Sequence, residues 1–132
     1  MSFVHLHVHT QYSLLDGALR ITPYLQSVAR LNMAACAITD HDNLFGAIDF
    51  YSQAKEFGIK PIIGCEVSTP QSLVLLAMNY KGYQNLCRLV SDANFKETLD
   101  KPHVTKEELE KFQEGLIVLS SGLRGEIQKI RQ

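Results

Sequence analysis

The stretch AACAITDHDNLFGAIDFYSQAKEFGIKPIIGCEV, residues 34–67, decides the fold class. It opens with a short, almost wholly apolar run, Ala34 to Thr39, of the kind buried on both faces of a parallel sheet. A polar turn follows, Asp40-His41-Asp42-Asn43. Phe45 to Phe57 then reads as a helix, with Gly58 as its left-handed stop. Ile59 to Val67 is a second strand candidate. A strand, a helix and a strand in this order form a crossover unit, which predicts an α/β fold with a largely parallel sheet, either a barrel or doubly wound.

Upstream, Phe3 to His9 alternates strictly: Phe3, His5, His7 and His9 share one parity, Val4, Leu6 and Val8 the other. Period 2 predicts a strand with an aliphatic and a histidine face. A turn-rich stretch, Thr10 to Gly17, leads to Thr22-Pro23, an N-cap followed by proline at the first helical position, and Leu25, Val28 and Leu31 follow at helical spacing. Downstream, Ser72 to Met78 is a strand candidate and Gly82 to Ala93 a helix. Thr105 to Glu108 is a capping box opening another helix, which Gly115 closes. Leu116 to Ser120 is a further strand, and a last helix begins near Gly125. The chain stops at Gln132 a turn or two into that helix, which reads as a fragment of something longer. A closed eight-strand barrel would need roughly 200 or more residues.

With 132 residues, 45% hydrophobic and 20% charged, the chain is one globular domain rather than a disordered or low-complexity segment. Thirteen Lys and Arg against fourteen Asp and Glu give a net charge of −1, so no basic DNA-binding footprint is visible. Cys36, Cys65 and Cys87 are widely spaced and odd in number, which suggests neither a disulfide framework nor a structural zinc knuckle. No apolar run would span a bilayer and no signal peptide is present, so the expected location is the cytoplasm, away from any membrane.

The chemistry lies in where the ligand-type residues fall. The first strand ends in His7 and His9, the second runs into Asp40-His41, and the third ends at Glu66. Three successive strands thus deliver imidazole or carboxylate at their C-terminal ends, the edge where α/β folds build active sites. His7 and His9, two apart on a strand, point the same way and could share one metal or bridge two. Asp16, in the loop after the first strand, adds a carboxylate able to reach that rim. Mixed imidazole and carboxylate ligands suit zinc, manganese or iron. Several such ions side by side suit phosphoester hydrolysis.

Blander roles compete. A single histidine is more often a hydrogen-bonded surface or core residue than a ligand; it is the His-x-His pair together with His41 and Glu66 that favours a metal. His5, deeper in the strand, is expected to pack or to hydrogen-bond behind a ligand. Asp40 and Asp42 either cap the helix starting near Asn43 or, for Asp40, orient a ligand histidine. His103 is expected in solvent. Tyr12 could line the rim, and Arg20, Lys60 and Arg124 could contact phosphate or simply face water.

The stretches FVHLHVHTQYSLLDG, AITDHDNLFGAIDFY, GIKPIIGCEV, LVLLAMNYKGYQNLCRLVS and EGLIVLSSGLRGEI resemble, in this order, the N-terminal PHP (polymerase and histidinol phosphatase) domain of the bacterial DNA polymerase III alpha subunit family. The resemblance spans essentially the whole chain. It implies part of a PHP-type distorted (βα)7 barrel with a mostly parallel sheet, residues 1–132 forming its N-terminal portion. It implies divalent metal ions, zinc or manganese foremost, held by His7, His9, Asp16, His41 and Glu66, the same residues acting as the catalytic set. The implied local activity is metal-dependent phosphodiester hydrolysis of the 3′–5′ exonuclease type, within a parent DNA-directed DNA polymerase. The implied partners are DNA, through that polymerase, and replicase subunits such as the sliding clamp and the proofreading subunit. Two other roles belong to the same superfamily: a non-catalytic module supporting the polymerase, and a small-molecule phosphatase of the histidinol-phosphate type. The chain departs from the pattern in three ways: the later ligands are absent because the chain ends, Gly122 stands where some relatives carry a cysteine ligand, and the stretch between Glu66 and Ser72 is short.

Overall fold

The computed structural model describes residues 3–70, 72–96 and 102–120. The elements in chain order are α1 (Ile21–Arg30), β1 (Ala35–Ile38), α2 (Ala47–Glu56), β2 (Lys60–Val67), β3 (Leu73–Ala77), α3 (Tyr80–Asn94), α4 (Lys106–Phe112) and β4 (Leu116–Ser120). The four strands form one sheet in the order β1-β2-β3-β4. Among the described residues no helix is long and apolar enough to cross a membrane.

β1, α2 and β2 form the expected crossover unit, with β1 and β2 parallel and Ile38 opposite Ile63. Gly58 ends α2 at φ +68°. Beyond β2 the largely parallel expectation fails, because β3 runs antiparallel to β2 and β4 antiparallel to β3. The reason lies in the short connection from Val67 to Leu73. It leaves no room for a crossover helix, so the chain must fold straight back on itself. The sheet is therefore mixed.

Residues 3–9 form no regular strand. Two backbone bonds tie them to β1, from Ala37 N–H to the His5 carbonyl at 2.9 Å and from Thr39 N–H to the Val8 carbonyl at 2.8 Å. The acceptors are three residues apart and the donors two, so one surplus residue interrupts the ladder as a bulge does. His5 is exposed and meets the Phe3 ring edge to face at 4.8 Å, away from any ligand. α1 begins at Ile21 with Arg20 as its N-cap, so Thr22 and Pro23 lie within the first turn instead of opening it. Pro23 is tolerated there because the first-turn N–H groups have no partner within the helix. The Thr105 capping box opens α4 as expected, whereas Gly115, at φ +76°, lies past the helix end at Phe112. The helix expected near Gly125, Arg124 and the Gly122 position lie outside the described residues.

Two apolar layers cover one side of the sheet. Ile21, Tyr24, Leu25 and Val28 of α1 and Phe50 and Ala54 of α2 pack with Cys36 and Ile38 of β1, and Tyr12 joins this layer. Leu86, Leu89 and Ala93 of α3 pack on Cys65, Val67 and Leu75. A smaller cluster, Ala37, Val74 and Leu76 with Ile62 and Leu119, lies apart from these. Strand alternation then decides the fate of Glu66. Ile63, Cys65 and Val67 point to the helices, so Ile62, Gly64 and Glu66 point the other way.

Candidate metal centre

β1 stops at Ile38, but the parallel register it sets with β2 continues past its end to an isolated bridge between His41 and Glu66. Glu66 N–H donates to the Asp40 carbonyl at 3.0 Å and Asp42 N–H to the Glu66 carbonyl at 2.9 Å. The register alone thus sets His41 beside Glu66. The 3–9 segment, fastened to the other edge of β1, brings in His7 and His9.

Five side chains meet there. His7 Nε2 lies 2.6 Å and His9 Nε2 2.8 Å from Glu66 Oε2, and His41 Nδ1 lies 3.8 Å from the same oxygen. On the outer side, Asp16 Oδ2 lies 2.8 Å from His41 Nε2 and 3.4 Å from His9 Nδ1. The His9 and His41 rings are 4.1 Å apart. Glu66 is buried, with Ser72 Oγ–H donating to its Oε1 at 2.6 Å, while the Asp16 side chain is half exposed. Among the described residues two groups have ligand atoms close enough to hold one ion each: His7, His9 and Glu66, and His9, Asp16 and His41. His9 belongs to both.

The donor chemistry favours a cation. Both ring nitrogens of His9 face carboxylate oxygens, yet a neutral imidazole carries only one N–H. Without a cation the two carboxylates favour a second proton on the ring. Its pKa is accordingly raised, first by the hydrogen bond to Glu66, against the opposing effect of burial, and then by the charges of Glu66, Asp16 and Asp40. A divalent ion satisfies the same oxygens and nitrogens without that proton. Cys65, on the opposite face of β2, is no rival ligand: burial above all pushes its thiol pKa up.

Around this centre the sequence reading needs several corrections. Asp40 and Asp42 do not cap a helix, since α2 starts only at Ala47. Nor does the Asp40 side chain bond a histidine ring. It is buried and accepts from Thr10 and Ser13. Asp42, at φ +52°, accepts from Ser68 N–H at 2.7 Å and Ser68 Oγ–H at 2.6 Å, which ties the β2–β3 connection to the turn. Tyr12 packs inward and offers the site only its backbone, whose carbonyl accepts from Asn43 Nδ2 at 3.0 Å. Arg20 and Lys60 are exposed, and Lys60 lies at the opposite end of β2 from Glu66. His103 is half buried, and its carbonyl accepts from Lys96 Nζ at 2.6 Å. The sequence reading missed Thr10, Ser13 and Ser72. Their one signal is short hydroxyl side chains in loops flanking the ligands.

The family model described as the PHP domain matches residues 5–132. Among curated proteins, the chain is 42% identical to the DNA polymerase III subunit alpha of Borreliella burgdorferi over 97% of its length, covering 13% of that protein. It is 41% identical to the Thermus aquaticus subunit over 96% of its length, covering 12% of it. The chain thus spans only a small part of these relatives. Among solved structures, an amidohydrolase from Chromobacterium violaceum is similar at TM-score 0.57 and 28% identity, over 68% of this chain and 32% of that one. A two-domain protein from Bacteroides vulgatus containing a predicted PHP-like metal-dependent phosphoesterase is similar at TM-score 0.51 and 17% identity, over 85% of this chain and 41% of that one.

Proposed function

The chain belongs to the PHP domain family, and from that premise we propose that it is the N-terminal portion of the PHP domain of a DNA polymerase III alpha subunit, with metal-dependent phosphodiester hydrolysis as its local chemistry. The observation that carries this reading is the convergence of three imidazoles and two carboxylates, with carboxylate oxygens on both nitrogens of His9. His7, His9 and Glu66 would hold one divalent ion, and His9, Asp16 and His41 a second. Such ions, zinc or manganese in this reading, would neutralise charge on a phosphodiester and lower the pKa of an attacking water.

The chain's own contribution is placement. Ser72 holds Glu66 by its other oxygen, which leaves Oε2 directed at the imidazoles. Glu66 is buried, so its charge acts in a poorly solvated setting where attraction to a cation is strong. Asp16 is half exposed and gives the outer subsite an open side for a substrate. The parent polymerase would supply nucleotidyl transfer from outside these residues, and DNA and other replicase subunits would be its partners.

The test is elemental analysis of the protein after incubation with zinc or manganese and desalting, with hydrolysis of an end-labelled single-stranded oligonucleotide followed in parallel. Bound metal and chelator-sensitive release of nucleotides are expected. A folded protein that stays metal-free in both ions refutes the proposal.

A further inference from the structure

Asp40 precedes His41, yet its side chain belongs to a separate network. It is 2% exposed. One carboxylate oxygen accepts Thr10 N–H at 2.6 Å and Ser13 Oγ–H at 2.6 Å, and the other accepts Thr10 Oγ1–H at 2.7 Å. These donors are all neutral and all come from the loop after the histidine segment. The Ser13 carbonyl in turn accepts Asp16 N–H at 3.1 Å and Gly17 N–H at 2.8 Å. Ser13 Oγ also accepts His41 N–H at 3.2 Å. A continuous chain of hydrogen bonds therefore runs from the buried Asp40 carboxylate through Ser13 to the backbone of Asp16. Glu66 is held differently, by the pairing of β2 with β3 and by backbone bonds to Asp40 and Asp42 that do not use the Asp40 side chain.

We propose that Asp40 is a positioning residue for the outer half of the metal centre: through Thr10 and Ser13 it fixes the loop carrying Asp16, and so sets the His9–Asp16–His41 subsite without touching an ion. The His7–His9–Glu66 subsite meets the Asp40 side chain only through the peptide that follows His9, so it depends on Asp40 less. This rests on the proposed metal centre. Loss of Asp40 should therefore weaken the outer subsite more than the inner one, where general loosening of the fold would weaken both alike. Asn at this position keeps one oxygen able to accept from Thr10 N–H and Ser13 Oγ, so it should rescue much of what Ala loses.

The experiment compares the wild type with Asp40→Ala and Asp40→Asn by amide hydrogen exchange without metal and by zinc titration. In Asp40→Ala, exchange at Asp16 and Gly17 should quicken by ~10-fold or more, as loss of hydrogen bonds to a charged group allows. Exchange at Leu75 and Leu86 should not change. One zinc equivalent should weaken roughly 10–100-fold, the usual range when a residue supporting a ligand is removed. The other should weaken several-fold less, and Asp40→Asn should fall between wild type and Asp40→Ala. Should Asp40→Ala not fold, Thr10→Val removes one of the three bonds and should shift the same amides and the same zinc equivalent less far. Zinc bound normally with unmoved loop amides overturns the role given to Asp40, as does equal weakening of both equivalents. A wild type that binds no zinc overturns the metal centre itself.

Discussion

Gly17 closes the loop that carries Asp16, and Gly17→Ala tests how tightly that loop must be drawn. A Cβ at this position would lie 1.9 Å from the Thr10 carbonyl oxygen, 2.8 Å from its carbon and 3.3 Å from Ser13 Cβ. Carbon and oxygen settle no closer than about 3.3 Å, so the loop or the Thr10 peptide must give way by more than about 1 Å. Thr10 cannot easily yield, since Asp40 binds both its N–H and its hydroxyl. The loop must move, taking Asp16 away from His41 and His9, now 2.8 and 3.4 Å away. Forced overpacking costs ~1–3 kcal/mol, which for a domain of this size lowers Tm by about 4–10 °C. Metal affinity should fall roughly 10–100-fold, because a ligand is displaced and not deleted. Both are read on one sample, by thermal unfolding and by competition with a chromophoric chelator. Gly58→Ala is the control: Gly58 has φ +68° with nothing near its would-be Cβ. That change strains the backbone by ~1–2 kcal/mol and should leave metal affinity at the wild-type value. If Gly17→Ala binds metal like wild type while Gly58→Ala melts lower as expected, the contact between this loop and Thr10 does not govern Asp16.

Glu66→Gln keeps the shape of the side chain but removes the charge facing His7 and His9, and should abolish the inner metal equivalent in a calorimetric titration. In the metal-free wild type the pKa of His9 is raised, so its protonation stabilises the fold below the ordinary imidazole pKa, and that gain is lost as pH rises through the raised value. Chelated protein should therefore melt lower as pH rises across that window, while zinc-loaded protein, whose ligands must be deprotonated, should show the opposite trend. Parallel trends in the two samples would contradict this. The chelated Glu66→Gln protein should show a flatter pH dependence, since the largest cause of the His9 shift is gone. Gly82→Ala should destabilise even though alanine favours a helix interior by ~1 kcal/mol, because the new Cβ would lie 1.9 Å from the Gly115 carbonyl oxygen. A higher Tm for this variant would mean that α3 and the start of β4 are less closely packed than the structure has them.

Local rules were readable directly from the chain. The apolar run at Ala35–Ile38, the αL glycine at Gly58 and the capping box at Thr105 need only neighbouring residues to act, and each forms where its pattern predicts. The parity of His7 and His9 put both imidazoles on one side, and both reach Glu66. The antiparallel turn of β3 was missed although the short connection before it is legible, because strand direction follows from that length and not from any pattern within the strand itself. The start of α2 was misplaced because the polar turn offers several possible caps, and the actual N-cap, Gly46, makes no side-chain bond.

The sequence by itself determined the supply of ligands: which imidazoles and carboxylates exist, and that His7 and His9 share one side of their segment. Only the tertiary structure decided their convergence and their upkeep, since the continued β1–β2 register sets His41 against Glu66 and a buried aspartate 24 residues beyond Asp16 restrains the loop that carries it. The physical reason is range. Periodicity and capping act over a few residues, whereas a buried carboxylate needs donors wherever the fold can bring them, and Asp40 finds its own in Thr10 and Ser13.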